Sequence, residues 1–426
     1  MKTKRFVGIA IVLGLLFFVA LPATAIAAEQ DDYVLDIYGN ANEDDTIDMR
    51  DLTYVKLIFF GKKPETELAD AKYDGKINPL DFIQIKLIIV GKEKELTVVD
   101  AADRTVTLNM PIERIVSSSL PQNIRTICAL DAADKIVGIP DALTSDEYLP
   151  ADRLIAIYMS HLELLELPIA GSPYFGGPYL EVIVSLEPDL VIVSHADADA
   201  VQEAVGVPTI TFRDIKETAL KGFKGLRFMG YVLGEQERAE ELISYFNEKI
   251  DEVRDITSDI SEDEKPEVYL AFWMGLTYTP AVYAPAEVAG GINVAEDPRT
   301  YGPLGPLMWH VSKEQIIAWN PDIILVHSFL PAPQHKILKE DILTDPDLQS
   351  ITAVKNKDVY YTKGYQFGWD PATGVIECFY MGKLFHPAEF ADVDVEEVGN
   401  EILKEVYGVD GIWTEMTEMF ELYTWE

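Results

Sequence analysis

Two segments of the sequence that begin 133 positions apart, at Glu181 and at Glu314, share one pattern of polar and apolar residues. The first reads EVIVSLEPDLVIVS and the second reads EQIIAWNPDIILVH. In both segments a glutamate opens a short amphipathic helix, a proline ends it, and an aspartate leads into an apolar run that is typical of a buried strand. The same order of features at the same offsets predicts a duplicated architecture of two similar halves.

Short β-branched runs alternate with longer helical stretches on both sides of these segments. The predicted strands cover residues 114–117, 135–139, 190–194, 207–212, 268–272, 323–327 and 358–362. Strands that alternate with helices indicate parallel sheets, so the predicted fold class is α/β. Residues 235–257 contain neither glycine nor proline and place apolar side chains at helical intervals, which predicts a helix about 35 Å long.

The first 28 residues have the composition of an export signal. Lys2, Lys4 and Arg5 precede an apolar run at 6–21, and small residues follow up to Ala28. We therefore expect a protein that is secreted or held at the outer face of the cell membrane. The apolar run is nearly long enough to span a bilayer, so cleavage near Ala28 and retention as an anchor both stay open.

Charge and cysteine content limit the partners and the covalent chemistry of the chain. The sequence has 35 lysines and arginines against 72 aspartates and glutamates, a formal net charge of -37, which repels nucleic acid. Its two cysteines, Cys128 and Cys378, each lie in an apolar segment. A disulfide between them and two buried free thiols are both compatible with an exported protein.

Residues 29–95 differ from the rest of the chain because asparagine and aspartate recur at short spacings before two apolar, helix-like runs. The two units begin 30 positions apart, at Asn40 and Asp70. A calcium loop supplies oxygen ligands at positions one, three, five, seven, nine and twelve, the seventh through its backbone carbonyl. The matching residues here are Asn40, Asn42, Asp44, Thr46, Asp48 and Asp51 in the first loop and Asp70, Asp74, Lys76, Asn78 and Asp81 in the second.

This pair of loops resembles a dockerin module, which implies bound calcium and a cohesin domain as a possible partner. Lys72 stands at the third position of the second loop, where a ligand is expected, and its positive charge weakens calcium binding there. The other interpretation of the same residues is a helical hairpin with acidic surface loops.

The chain from about Leu96 onward resembles the substrate-binding proteins of iron-siderophore, haem and cobalamin ABC importers. The features that carry the resemblance are residues 114–117, Gly138 with Ile139, the two Glu-to-Pro-Asp segments and the helix at 235–257. The resemblance implies two α/β lobes with parallel sheets, joined by that helix and preceded by a small all-α calcium-binding domain. The implied boundaries are a signal peptide at 1–28, a dockerin-like domain at 29–95, an N-terminal lobe at 96–234, a connecting helix at 235–265 and a C-terminal lobe at 266–426.

The same resemblance implies how the protein works. Members of the family carry a metal chelate to an ABC permease and its ATPase, and a glutamate on each lobe docks onto arginines of the permease. The matching residues here are Glu181 and Glu314. Two carboxylates on a rigid frame fix the orientation of the complex and speed the encounter. The alternative is that each glutamate only favours the N-terminus of its own helix.

In a two-lobed α/β protein the ligand lies between the lobes, against loops that leave the carboxyl ends of strands. Aromatic residues are frequent in those loops, and their flat faces suit a macrocycle or a catecholate. The candidate ligand-binding residues are Tyr174, Phe175, Tyr179, Arg213, Trp273, Tyr278, Trp309 and Trp369. Arg125 and Lys363 are further candidate cations for an anionic chelate, whereas the low basic content favours a neutral or cationic ligand such as a corrinoid.

Three other functions compete with capture of a chelate. Direct binding of zinc or manganese needs converging ligands, and the six histidines are scattered without a short two-histidine spacing. The sequence has no nucleophile elbow, phosphate-binding glycine loop or zinc-hydrolase helix, which argues against an enzyme. A cell-surface adhesive or scaffold role through the dockerin-like module is the alternative function.

Overall fold

The computed structural model describes the chain from Tyr33 to Leu422 with internal gaps. The described residues are 33–119, 122–141, 155–172, 176–212, 220, 222–272, 274–295, 309–327, 337–363, 371–420 and 422. The signal-like residues 1–28 lie outside this part of the chain. Within it, no helix combines the length and the apolar character needed to cross a membrane.

The first helices follow the two loops rich in asparagine and aspartate. Helix α1 spans Met49–Phe59 and helix α2 spans Pro79–Ile89. Each begins at a reciprocal cap, in which Asp48 or Asn78 accepts from the first turn and the aspartate three positions later accepts from the capping residue. Because the loop residues themselves supply the caps, each loop and its helix form one unit.

An antiparallel hairpin connects this helical part to the rest of the chain. Strand β1 (Glu95–Val99) pairs with β2 (Thr105–Asn109). The N–H of Tyr38 donates to the carbonyl of Thr97 at 2.9 Å, so β1 also bonds to the segment before the first loop. The expected boundary between residues 95 and 96 falls inside β1. The hairpin departs from the predicted parallel pairing because its connection is too short for a crossover.

The first α/β half is built on a mixed sheet. Among the described residues the strand order is β6-β5-β4-β3-β7-β8, and all neighbours are parallel except β5 and β6. The β-branched runs predict β3, β4, β7 and β8, whereas β5 and β6 contain glycine and proline and carry no such pattern. The bounds are β3 (Ile115–Ser117), β4 (Ile136–Pro140), β5 (Ile169–Ser172), β6 (Gly177–Pro178), β7 (Leu190–Val193) and β8 (Thr209–Thr211).

Helices cover both faces of this sheet. They are α3 (Gln122–Ala129), α4 (Ile155–Ser160), α5 (Leu180–Ser185), α6 (Ala198–Val205) and α7 (Lys224–Leu233). Successive strand residues point to opposite faces, so Ile115 joins the main apolar core and Val116 joins a smaller cluster. That smaller cluster contains Ile183 of α5 and Val201 of α6.

Helix α8 follows, at Gln236–Thr257, and agrees with the predicted helix within one residue. Its apolar face is buried through Leu242, Phe246 and Ile250. The four-residue spacing of these three side chains places them on one side of the helix, where they join the main core.

The second α/β half has a parallel sheet of order β11-β9-β13-β14 among the described residues, with a separate antiparallel pair, β10 and β12. The strands are β9 (Glu267–Ala271), β10 (Tyr278–Thr279), β11 (Ile292–Asn293), β12 (Trp309–His310), β13 (Ile323–His327) and β14 (Val359–Thr362). The helices are α9 (Ala284–Val288), α10 (Lys313–Trp319), α11 (Lys339–Thr344), α12 (Thr352–Asn356), α13 (Pro371–Phe385), α14 (Val395–Tyr407) and α15 (Ile412–Phe420).

The two repeated segments occupy equivalent places in the two halves. Each supplies a short helix and the strand after it, α5 with β7 and α10 with β13. The carboxylate of Asp189 accepts from the N–H of Arg114 at 2.9 Å, and that of Asp322 accepts from the N–H of Glu267 at 3.0 Å. Each aspartate thereby fixes the start of the neighbouring strand, β3 or β9. The two segments lie in separate sheets, as the repeat predicts.

The two cysteines are not joined. Cys128 in α3 and Cys378 in α13 are both buried free thiols. Burial raises the pKa of each thiol, which keeps both in the unreactive protonated form at neutral pH.

Candidate functional site

Each half presents one exposed glutamate at an equivalent position. Glu181 lies in the first turn of α5 and Glu314 in the first turn of α10. The hydroxyl of Ser312 caps α10 by accepting from the N–H of Gln315 at 3.2 Å. A hydrogen bond from its own backbone N–H, followed by the Ser312 hydroxyl, lowers the pKa of Glu314. Its carboxylate is therefore charged at neutral pH.

Three of the predicted ligand-binding residues lie in the described part of the chain. Tyr179, just before α5, has 40% of its surface exposed. The antiparallel pairing of β10 with β12 places Tyr278 opposite His310 and Trp309 opposite Thr279, so the side chains of Tyr278 and Trp309 point to opposite faces. Tyr278 packs edge-on against His310 with 5.0 Å between ring centroids. The other five, Tyr174, Phe175, Arg213, Trp273 and Trp369, lie outside the described residues.

Buried polar groups collect at the carboxyl ends of β13 and β14. Glu377 of α13 is fully buried, and its carboxylate accepts from the hydroxyl of Thr362 and from the N–H of Lys363 at 3.2 Å. Lys363, a candidate cation, is also buried. His327 is buried at the end of β13 and stacks on Phe272, with 4.9 Å between ring centroids. Nothing in the sequence singles out Glu377, because a lone glutamate in an apolar helix has no spacing pattern.

The first Asn- and Asp-rich loop closes around the carboxylate of Asp51, whose side chain is 0% exposed. This carboxylate accepts from the N–H of Asn42 at 3.1 Å and from the N–H of Asp48 at 2.7 Å. Burial raises the pKa of Asp51 to about 6. Arg50 forms ion pairs with Asp44 at 3.0 Å and Asp48 at 2.9 Å. The guanidinium thus neutralises two of the carboxylates that calcium would bind.

The second loop has the same internal hydrogen bonds. The carboxylate of Asp81 accepts from the N–H of Lys72 at 2.9 Å and from the N–H of Asn78 at 2.7 Å. The side chain of Lys72 has no oxygen that could bind calcium, and its ammonium pairs with Glu95 at 3.1 Å. Within the described residues no group of three or more His, Cys, Asp and Glu side chains is arranged to hold a metal ion.

The first loop also rests against helix α7. The hydroxyl of Tyr231 accepts from the N–H of Ile47 at 3.2 Å and donates to the carbonyl of Ile47 at 3.1 Å. Burial raises the pKa of Tyr231, which keeps the phenol protonated. The guanidinium of Arg227 lies 3.0 Å from a carboxylate oxygen of Asp45 and 3.0 Å from one of Glu240. The loop unit and the α/β halves therefore share one network of hydrogen bonds.

Two separate sheets with equivalent strands, and with helices packed against them, define an α/β protein. The family described as periplasmic binding protein matches residues 116–365, which is more than half of the chain. The chain belongs to this family, whose members are substrate-binding proteins of ABC transporters rather than enzymes.

Two relatives and two solved structures support this assignment. The molybdate-binding protein MolA of Haemophilus influenzae is 25% identical over 338 residues, covering 72% of this chain and 90% of that protein. The ABC transporter substrate-binding lipoprotein YvrC of Bacillus subtilis is 24% identical over 276 residues, covering 61% and 76%. The fold is shared with MolA bound to molybdate, with a TM-score of 0.58 and 22% identity over 74% of this chain and 98% of that one. It is also shared with Helicobacter pylori CeuE in its Ni-His complex, with a TM-score of 0.56 and 20% identity over 75% and 98%.

Proposed function

We propose that this chain captures a metal chelate outside the cytoplasm, of the iron-siderophore, haem or corrinoid type, and delivers it to an ABC permease and its ATPase. The observation that carries the proposal is the duplicated frame, in which each sheet has one exposed glutamate in the first turn of an equivalent helix. Family membership supports substrate capture. The relative that is named for molybdate supports a solute that contains a metal. The signal-like composition of residues 1–28 supports export.

Glu181 and Glu314 are the proposed contacts with the permease. Exposed carboxylates on two halves of a rigid frame match two cationic sites only in one orientation, so they give both attraction and alignment. Replacing both, with Glu181→Arg and Glu314→Arg, is expected to abolish uptake of the chelate in cells and to leave solute affinity of the purified protein unchanged.

A matched control keeps the same change of charge elsewhere on the surface. Glu203 in α6 and Glu340 in α11 are exposed, one in each half. The pair Glu203→Arg with Glu340→Arg is expected to support normal uptake. If both double variants support normal uptake, Glu181 and Glu314 do not dock onto the permease. If both lose uptake equally, the loss comes from the change in net charge and not from these two positions.

The proposed ligand contacts in the described residues are Tyr179 on the first half and Tyr278 and Trp309 on the second. Tyr179 offers an exposed ring beside α5, and Tyr278 and Trp309 lie on the paired strands β10 and β12, where they point to opposite faces. Native mass spectrometry of protein purified from its source tests the proposal, because a retained chelate is weighed directly. Trp309→Phe is expected to remove much of the fluorescence quenching caused by such a chelate while the protein still binds it.

Residues 29–95 are proposed to form a dockerin-like calcium module. The first loop has the residue types of a calcium loop, since Asn40, Asp44 and Asp51 carry side-chain oxygens and Thr46 offers a carbonyl, and calcium would have to displace Arg50 from Asp44 and Asp48. The second loop fits less well, because Lys72 replaces one oxygen ligand. Calorimetric titration of the exported chain with calcium is expected to show one strong site that Asp44→Ala removes. A chain that takes up no calcium would end this part of the proposal.

A cell-surface scaffold role is the second candidate. It is favoured by the exposed apolar side chains of the helices that follow the loops, including Met49, Phe60, Leu80, Ile83 and Val90. Large exposed apolar groups on one small unit are typical of an interaction surface. Calcium-dependent binding to a purified cohesin domain, lost in Phe60→Asp and Ile83→Asp, would support it.

A further inference from the structure

Three buried polar atoms at the junction of β3 and α3 have no hydrogen-bond partner among the described residues. They are the hydroxyl oxygens of Ser117 and Ser118 and the amide nitrogen of Asn123. The three residues are 0%, 2% and 4% exposed. A buried polar group without a partner is costly, and natural proteins satisfy most such groups with an ordered water or a ligand. Three within seven consecutive positions point to a site.

The fold places this junction at the edge where α/β proteins bind ligands. Ser117 is the last residue of β3, which lies between β4 and β7 in the sheet. The following helix, α3, begins at Gln122, and the free N–H groups of a first helical turn favour negative charge. Arg125, which is 5% exposed, adds a buried guanidinium three positions into this helix.

The Ser118 hydroxyl lies directly over β5. A Cβ at Gly171 would stand 1.9 Å from this oxygen and 3.0 Å from the carbonyl oxygen of Gly177. Gly171 is therefore the residue that makes room for the hydroxyl. The same contact places Ser118 beside the β5–β6 pair, which Tyr179, one of the proposed ligand contacts, directly follows.

We propose that the β3–α3 junction binds an anionic oxygen group of the captured solute, so that the solute is an oxyanion or a chelate with an anionic oxygen substituent. This inference rests on the proposed capture function and narrows its substrate class. Two serine hydroxyls and an amide N–H donate to the anion, and the helix N-terminus with Arg125 supplies positive potential. Solutes in such sites are largely enclosed, which agrees with the burial of all three donors.

Titration of the exported chain with four probes tests the substrate class. Molybdate and sulfate represent free oxyanions, ferric citrate represents an anionic chelate, and dicyanocobinamide represents a corrinoid that lacks a phosphate or other anionic oxygen group. Binding of an anionic probe is the expected result, and the probe that binds tells a free oxyanion from a chelate. Binding of dicyanocobinamide alone would overturn the subsite and leave the capture function intact. Failure of all four probes, together with no co-purified solute in native mass spectrometry, would overturn both.

The variant Ser117→Ala with Asn123→Ala tests the residues. Each hydrogen bond to a charged group contributes about 1.5–3 kcal/mol, so the two substitutions together are expected to lower the affinity for the anionic probe by about 100-fold or more. Without solute the variant should unfold at the same or a higher temperature than the parent, because it loses unsatisfied groups. A lower unfolding temperature with unchanged affinity would instead assign these side chains to the fold and overturn the subsite.

Thr211→Val is the matched control. Thr211 is also a buried residue whose hydroxyl has no partner at the carboxyl end of a strand in this sheet. Ser117 pairs with Ile192 and Thr211 pairs with Val193, which are successive residues of β7, so the two side chains point to opposite faces. The control is expected to bind the anionic probe with the parent affinity. An equal loss in both variants would refute a site confined to the β3–α3 face.

Discussion

Replacing Tyr231 by phenylalanine removes a single hydroxyl between the first Asn- and Asp-rich loop and helix α7. That hydroxyl accepts from the N–H of Ile47 at 3.2 Å and donates to its carbonyl at 3.1 Å. Ile47 is buried, so both backbone groups lose their contact in a place that water does not reach. Each unsatisfied buried group costs about 1–3 kcal/mol, and because both bonds are long we expect a total loss of about 2–3 kcal/mol.

Equilibrium unfolding in urea, followed by tryptophan fluorescence, measures this loss as a lower midpoint at constant slope. Tyr245→Phe is the control, because its hydroxyl lies 3.4 Å from the exposed carboxylate of Glu401. Such a long, exposed contact is worth less than about 0.5 kcal/mol. If Tyr231→Phe lowers the free energy of unfolding no more than Tyr245→Phe does, the contact between the loop and α7 does not stabilise the protein.

Four further predictions concern calcium, pH, a glycine and salt. Since burial raises the pKa of Asp51 to about 6, protons compete with calcium for this carboxylate, and calcium should raise the unfolding temperature more at about pH 7.5 than at about pH 5 in calorimetry. Without calcium the same raised pKa makes the contribution of Asp51 to stability fall as the pH rises from about 4 to 6. Gly171→Ala should displace the Ser118 hydroxyl and weaken an anionic probe by about tenfold in titration, since the new Cβ would lie 1.9 Å from that oxygen. In stopped-flow measurements an anionic solute should associate faster as salt rises from about 20 to 200 mM, because salt screens its repulsion by the acidic chain.

The frame of the protein could be predicted from sequence because local patterns encode it. Buried parallel strands such as β7 and β13 are continuous apolar runs, and α8 has a long helical period without a breaker. The twin aspartates at 189 and 322 mark equivalent strand starts because each is needed for a backbone hydrogen bond to a neighbouring strand. Strands as short as β5 and β6 have too few residues to show a period, so their existence depends on neighbours that are distant in sequence.

The site could be predicted only in part, since its contacts join distant segments. Tyr278 and Trp309 were candidates as separate aromatic residues, but their place on two paired strands follows from contacts between residues 30 and 32 positions apart. The burial of Glu377 against Thr362 and the placement of Ser118 over Gly171 likewise depend on tertiary packing. No residue spacing in the sequence predicts these contacts.

Net charge is a poor guide to the charge of the captured solute, and the length scale of electrostatics explains why. At physiological ionic strength a surface charge is screened within about 8 Å, so a bound solute responds to the few groups that surround it and not to the formal -37 of the chain. The groups that we propose to hold the solute at the β3–α3 junction are hydrogen-bond donors, a helix N-terminus and the buried Arg125. The abundant acid elsewhere affects how fast an anion arrives, whereas the buried donors determine how long it stays. A preference for a neutral or cationic solute, inferred from composition, therefore carries less weight than the local chemistry of this junction.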